Sequence, residues 1–483
     1  MMARAAVRAI ASTAALVAVC SCAVGPNFKR PAPPTAQSYL PDALPEHTEA
    51  QAGSDAQRFV AGMEVPAQWW KLFQSPALDT LIQQAFANSP SIQSAQAALR
   101  VANENYYAQR GALLPTVQAG YSFERQRNAT GTLSPTLTSD EPIFNLHTAQ
   151  VNVSYVLDVF GGARRQTESM RSLAESQKYQ LDATYLTLAA NVVTTAIQEA
   201  TARAQLEATH QIVKSEREAL QILQRQYDLG SIAMTDVMAQ EAALATAEAS
   251  VPPLQKQLEE SRHALAALAG RFPSETGDEH FELASLSLPA DLPVTVPSEL
   301  VRQRPDVLAA EAQMHAASAA VGVAIANMLP QITLTGNAGG TATEFGQLFA
   351  RGNTFWAGGA SLTQTVFAGG SLLHKERAAR ASLDQAGAQY RSAVLTAFQN
   401  VADALTALQL DAQALGASVR AERAAEDSLM TVRRNVELGS VGYLALLNAQ
   451  QTYQQAVLNL AQAQANRFAD TAALFQALGG SVK

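Results

Sequence analysis

Two stretches of this chain switch from helical to alternating hydrophobicity in the same way. LLPTVQAG (113–120) and MLPQITLT (328–335) each follow 24 Ala-rich residues, 91–114 and 306–329, which lie between prolines and read as helices. After each Pro the apolar residues fall on every second position. In the first stretch they are Val117, Ala119, Tyr121 and Phe123, then Val151, Val153, Tyr155 and Leu157, with Gln118, Ser122, Glu124, Gln150, Asn152, Ser154 and Asp158 between them. In the second they are Ile332, Leu334 and Ala338, then Trp356, Ala360, Leu362 and Val366. A period of two predicts four strands with one apolar and one polar face.

The spacing also reveals a duplication. Pro90 and Pro115 recur as Pro305 and Pro330 at an offset of 215; VFGG (159–162) is answered by VFAGG (366–370), and LGS at 229–231 by LGS at 438–440. Behind each strand pair lies a long run. Ala163–Leu229 has 67 residues without Gly or Pro, and Ser371–Leu438 has 68 with only Gly387 and Gly416. Each is enough for about 100 Å of helix. A further helix follows each LGS, Met234–Ala269 and Tyr443–Leu478, the first interrupted by Pro252 and Pro253. The summed lengths of the shorter helices, about 90 Å, predict that two of them lie end to end beside each long one. A coiled-coil spacer is the plain alternative, but it has no use for strands.

The predicted segments are a signal peptide (1–21), an extended tether (22–66), a first repeat (67–270), a linker (271–300) and a second repeat (301–480). Arg4 and Arg8 precede an apolar stretch ending near Cys20 and Cys22, the signature of a secretory leader. Small residues before Cys22 favour it over Cys20 as a lipoprotein acylation site, and a disulfide between the two is the weaker reading. Seven prolines between Val24 and Pro66 predict the tether.

Composition changes the picture in one respect. The chain is 48% hydrophobic but 6% aromatic, which favours long helices in close contact over a bulky core. Its net charge of −8 becomes −10 without residues 1–21, and argues against a nucleic-acid partner. The seven histidines are scattered, GGTATEFG lies in a surface loop without the Lys of a phosphate loop, and no catalytic, cofactor or metal constellation is predicted.

Strands of about 11 residues would cover about 25 Å at a 45° tilt, the apolar height of an outer membrane barrel. Glu124 and Asp158 suit a water-filled lumen better than a core. Four strands cannot close a barrel, which begins at about eight, so closure needs two, three or four copies. A soluble hairpin pair packed on helices is the competing reading.

CAVGPNFKRP (22–31), WWKLFQSPALDTLI (69–82), RPDVLAAEAQM (304–314), the VFGG and VFAGG pair and the two LGS turns resemble the outer membrane factor family, the TolC-like lipoproteins of the NodT or OprM type. The resemblance implies a mainly α fold with a small β part. In it, a homotrimer carries a 12-stranded barrel in the outer membrane and an α-barrel in the periplasm, with no cofactor. It implies a passive conduit for small molecules that works with a periplasmic adaptor and an inner-membrane pump of the resistance-nodulation-division class.

Within that frame Gly161, Gly162, Gly369 and Gly370 turn strand into helix. Leu229, Gly230, Ser231, Leu438, Gly439 and Ser440 form the periplasmic tip that meets the adaptor, though ordinary helix stops would look the same. Asp236 and Asn448 fall where the family rings its gate with carboxylates. Asp236 is equally readable as a helix N-cap, and Asn448 in LLNAQ replaces the usual Asp, which predicts weaker cation selectivity. A protein-secretion conduit and a pore-free periplasmic adaptor lipoprotein remain the alternatives.

Overall fold

A computed structural model of the chain describes residues 23–49, 56–127, 143–275 and 280–479. The leader and Cys22 lie outside the described residues. In chain order the elements are β1 (Arg58–Ala61), α1 (Pro76–Asn88), α2 (Pro90–Gly111), β2 (Thr116–Arg127), β3 (Ile143–Leu157), α3 (Gly162–Asp228), α4 (Met234–Leu268), β4 (Asp291–Val294), α5 (Pro297–Gln303), α6 (Pro305–Ala326), β5 (Gln331–Ala342), β6 (Thr354–Thr363), α7 (Ser371–Glu437) and α8 (Tyr443–Leu478). The fold is mainly α with a small β part. Two compact units cut across the sequence repeats: one holds residues up to 30, 99–177 and 310–390, the other 31–98, 178–309 and 391 onward.

The first unit carries a four-stranded antiparallel sheet in the order β2-β3-β5-β6. Its register lines up the alternating positions across all four strands. Val117 sits opposite Val153, which faces Gly336 and then Gly358; Ala119, Val151, Ala338 and Trp356 form the next row. The intervening rows are polar, as in Gln118, Asn152 and Asn337. The strands run to 12, 15, 12 and 10 residues, so β5 takes in the Gly339–Ala342 part of GGTATEFG that the sequence places in a loop. Val366, counted in the alternation, lies beyond β6.

Asp158 is also outside the strand. Its carboxylate accepts from the backbone N–H groups of Ala163 and Arg164, both at 2.9 Å, and from Arg164 Nε at 3.1 Å. A lumenal residue by its spacing is therefore a cap on the first turn of α3, where the helix dipole and the unpaired N–H groups favour a negative charge. Gly161 (φ 78°), Gly369 (φ 58°) and Gly370 (φ 82°) make the turn into the helix, whereas Gly162 is already helical.

In this unit α6 is apolar enough by composition to cross a membrane, yet its small residues serve close packing on α3. Ser169 donates to the Ala316 carbonyl at 3.1 Å, and a Cβ at Gly322 would meet the Arg165 stem at 2.9 Å. His315 bonds Glu168 at 2.9 Å and stacks on Phe28.

The second unit holds an aromatic core. Trp69 and Trp70 are fully buried; Trp69 stacks on Phe475 at 5.4 Å, and Trp70 donates from Nε1 to Asp79 at 2.8 Å. β1 pairs in parallel with β4, so part of the Pro-rich stretch 22–66 is bound to part of 271–300. The α4 helix runs through Pro252 and Pro253 without a break, at the cost of two backbone donors.

The end-to-end arrangement of short helices is visible at two equivalent joints. Gly270 (φ 74°), past α4, abuts Asn88 just before α2; Gly479 (φ 70°), past α8, abuts Arg304 just before α6. A Cβ on either would meet those neighbours at 2.7 or 2.6 Å. Arg304 also donates to the Ala477 carbonyl at 2.8 Å, closing the end of α8. The Arg of the RPDV stretch thus acts as a helix-end clamp.

Candidate functional site

Two regions qualify as sites: the sheet and the ends of the long helices. On the sheet's apolar face the side chains are open to the surroundings, with Trp356 82% and Val117 64% exposed. Water does not tolerate a continuous apolar face of this kind; lipid does. Near one end of the strands aromatic rings gather. Tyr121 Oη lies 2.7 Å from His147 Nδ1, Phe123 is 4.8 Å from the same imidazole between centroids, and Phe345 stands edge-on to Tyr121 at 5.8 Å. Rings at the rim of an apolar band match the girdles of outer membrane barrels. Among the described residues β2 and β6 each pair on one side only. In hydrocarbon, unpaired backbone groups cost several kcal/mol each, so such edges require partners.

At the other site, α3 and α7 end in the same turn. Gly230 (φ 72°) donates to the Tyr227 carbonyl at 2.8 Å, and Ser231 N–H to Gln226 at 2.9 Å. Gly439 (φ 68°) donates to Val436 at 3.0 Å, and Ser440 N–H to Asn435 at 2.9 Å. Each serine hydroxyl reinforces its turn by donating to the same carbonyl as its N–H, at 2.8 and 3.0 Å. These are paired left-handed helix stops in which Gly avoids the Cβ penalty. Their leucines point away from the protein: Leu229 is 83% and Leu438 73% exposed. A helix stop needs no exposed Leu, so the turn geometry alone does not account for them.

Asp236 and Asn448 are not brought together by any direct contact. Asp236 lies in the first turn of α4, whose cap position is Ala233, so it is not the N-cap. Asn448 is exposed on α8, and its carbonyl accepts from Thr452 at 2.8 Å. Near Asp236 sits a polar cluster that the sequence reading did not single out. Gln240 of α4, fully buried, donates to the Glu216 backbone carbonyl of α3 at 2.8 Å and to its carboxylate, while Tyr443 of α8 donates to Gln240 Oε1. Burial pushes the Glu216 carboxyl up, against the Gln240 hydrogen bond and the charge of Arg433. Burial, then Glu216 and Asp236, push the Tyr443 hydroxyl up, so it stays a donor. Glu216 and Gln240 have counterparts of the same type 210 residues on, Glu426 and Gln450, whereas Tyr443 answers Ala233; that shared spacing is the sequence signal that could have marked the pair.

No group of three or more His, Cys, Asp or Glu residues among those described could hold a metal.

The chain as a whole is similar to known proteins. The outer membrane efflux protein family matches residues 81–271 and 296–480. The chain is 30% identical to the pyoverdine export outer membrane protein OpmQ of Pseudomonas putida over 454 residues, covering 93% of this chain and 94% of that protein. It is 28% identical to the toluene efflux pump outer membrane protein TtgC, also of Pseudomonas putida, covering 95% and 92%. The structure of the outer-membrane channel OprN superposes with a TM-score of 0.84 at 28% identity, covering 95% of this chain and 100% of that one. The open state of the Neisseria gonorrhoeae MtrE channel superposes with a TM-score of 0.81 at 26% identity, covering 96% and 99%. With the lipid-type sheet, the duplicated long helices and these matches in agreement, the chain belongs to the outer membrane efflux protein family and is an outer membrane channel protein of efflux.

Proposed function

We propose that three copies of this chain close one conduit of twelve strands, which receives small organic molecules from a periplasmic adaptor and an inner-membrane pump of the resistance-nodulation-division class. The observation that carries this reading is the sheet: apolar on one face across four strands, polar on the other, and open at both β2 and β6. Joining the β6 edge of one copy to the β2 edge of the next satisfies both edges. Its polar rows then line a water-filled passage and its apolar rows meet lipid. Cargo of this class is supported by relatives that are named for pyoverdine export and toluene efflux.

The remaining assignments complete this reading. Leu229–Gly230–Ser231 and Leu438–Gly439–Ser440 offer exposed apolar knobs on rigid turns to the adaptor. Asp236 and Asn448 flank the entrance, and the Glu216–Gln240–Tyr443 cluster ties three of its helices. Cys22 is the acylated residue. In support, Val24 N–H donates to the Phe160 carbonyl at 3.0 Å and Ala23 lies against Gly161, which puts the chain just after Cys22 at the junction of strand and helix. An acyl chain there enters the leaflet next to the barrel.

Purified protein in planar bilayers should give single-channel conductance, and unheated gel samples should run as a heat-labile trimer. Absence of conductance from a protein that migrates as a trimer would overturn the conduit. Migration as a monomer under conditions that preserve conductance would overturn the stoichiometry.

A further inference from the structure

The apolar face of the sheet ends in arginines. On β2 that face runs through Val117, Ala119, Tyr121 and Phe123, and the same alternation places Arg125 and Arg127 next, opposite Asn145 and Ile143 of β3. Both are exposed, and among the described residues neither pairs with a carboxylate. A cation is costly in hydrocarbon, so its height on the wall decides what it can do there. From Leu157, whose row holds Ile332 and Leu362, up to His147 opposite Phe123, β3 climbs about 23 Å at 3.3 Å per residue and a 45° tilt. That is nearly the whole apolar band of an outer membrane barrel. Arg125 and Arg127 stand two and four positions past this row, about 5 and 9 Å higher, at the level of lipid headgroups.

Rings lie just below them on the same face. To Tyr121, Phe123 and His147 the connection between β5 and β6 adds Phe349: a Cβ on Gly340, in the row of Tyr121 and Ala149, would meet its ring at 3.3 Å. Phe349 is itself exposed. This end of the sheet is the one away from the long helices, because β3 descends from Ile143 to Leu157 and leads into α3. Those helices extend into the periplasm, so the rings and arginines belong to the outer leaflet. At the other end of the wall Arg164 is engaged with Asp158 at 3.1 Å. The described acids closest in sequence to the arginines and to Phe349 are Glu124, at a polar-face position, and Glu344, in the β5–β6 connection with Arg351. Asp140 and Glu141 lie outside the described residues.

We propose that Arg125 and Arg127 bind a phosphate of a lipopolysaccharide molecule in the outer leaflet, whose acyl chains lie on the rings of Tyr121, Phe123 and Phe349. The outer leaflet of this membrane is built from that phosphorylated glycolipid, and its phosphates sit directly above its acyl chains. A guanidinium matches a phosphate with two parallel N–H donors, and both gain strength where water is scarce. The inference rests on the reading that the apolar rows of the sheet meet lipid, and needs neither the stoichiometry of the conduit nor its cargo. It gives the barrel wall a specific lipid site in place of a merely apolar surface.

Native mass spectrometry of the full-length protein, released from micelles in the presence of EDTA and titrated with bisphosphorylated lipid A, tests this. Lipid A should bind about tenfold more tightly than the same lipid with its phosphates removed. The double variant Arg125→Gln, Arg127→Gln should erase that preference. Arg125→Gln combined with Gln126→Arg, which keeps the net charge but moves one cation to the polar face, should weaken it. Wild-type protein that conducts in bilayers yet binds the dephosphorylated lipid or phosphatidylglycerol as tightly as lipid A would overturn the proposal and leave the conduit standing. The same result would follow if Asp140 and Glu141 neutralised the arginines, so the wild-type comparison decides the matter even where a variant does not assemble. A preference that survives in the double variant would also overturn it.

Discussion

Trp356 and Trp69 end in opposite surroundings. Trp356 stands on β6 with 82% of its surface open, while Trp69 is fully enclosed among Trp70, Phe73 and Phe475. The same side chain serves two solvents. In the second unit an apolar group is removed from water by other parts of the chain, and its contribution comes from packing. In the sheet it is left uncovered in a row shared by four strands, which makes sense only if the surroundings themselves are apolar.

Substitutions that treat the two places as alike should fail in different ways. The largest effect is expected for Trp69→Ala, which removes a buried aromatic at a cost of about 3–5 kcal/mol. Thermal melting followed by circular dichroism should show a lower midpoint, with the apolar face of the sheet still accessible to lipid. Val151→Arg, near the middle of an apolar row between Ala119 and Ala338, should cost about 2–4 kcal/mol by placing a charge in lipid. It should reduce the protein recovered in outer membranes, whereas Asn152→Arg one position away should insert normally and change conductance. Equal loss from both would remove the distinction between the faces.

Asp158→Ala should cost about 0.5–2 kcal/mol through the α3 cap and leave ion selectivity unchanged, because the carboxylate is engaged with Ala163 and Arg164. A selectivity change would return Asp158 to the lumen. The smallest stability effect is expected from Asn448→Asp, which is exposed; its readout is higher cation selectivity in bilayer recordings.

Much of this was legible in the chain. The strands announced themselves because a two-faced sheet imposes a period of two, and the long helices because Pro and Gly are missing from runs of such length. The duplicated LGS turns were legible because a left-handed helix end selects Gly. What escaped had no periodic signature. β1 and β4 are four residues each, and their pairing joins positions 58 and 291. Asp158 continues the alternation by one residue and then leaves the strand, a boundary shift that spacing cannot register. WWKLF was legible as a motif but not as a core, since its partner Phe475 is some 400 residues on. Glu216 and Gln240 recur 210 residues on as Glu426 and Gln450, but Tyr443 answers Ala233, and the three meet only because three helices converge.

The most direct test is site-directed spin labelling along β2 in reconstituted bilayers, one cysteine at a time from 117 to 124, in a chain whose Cys20 and Cys22 are replaced by Ser. Positions 117, 119, 121 and 123 should be relaxed by oxygen from the lipid phase, and 118, 120, 122 and 124 by a water-soluble paramagnet. Uniform access of the aqueous reagent to both sets would contradict the assignment of this sheet as a lipid-facing wall.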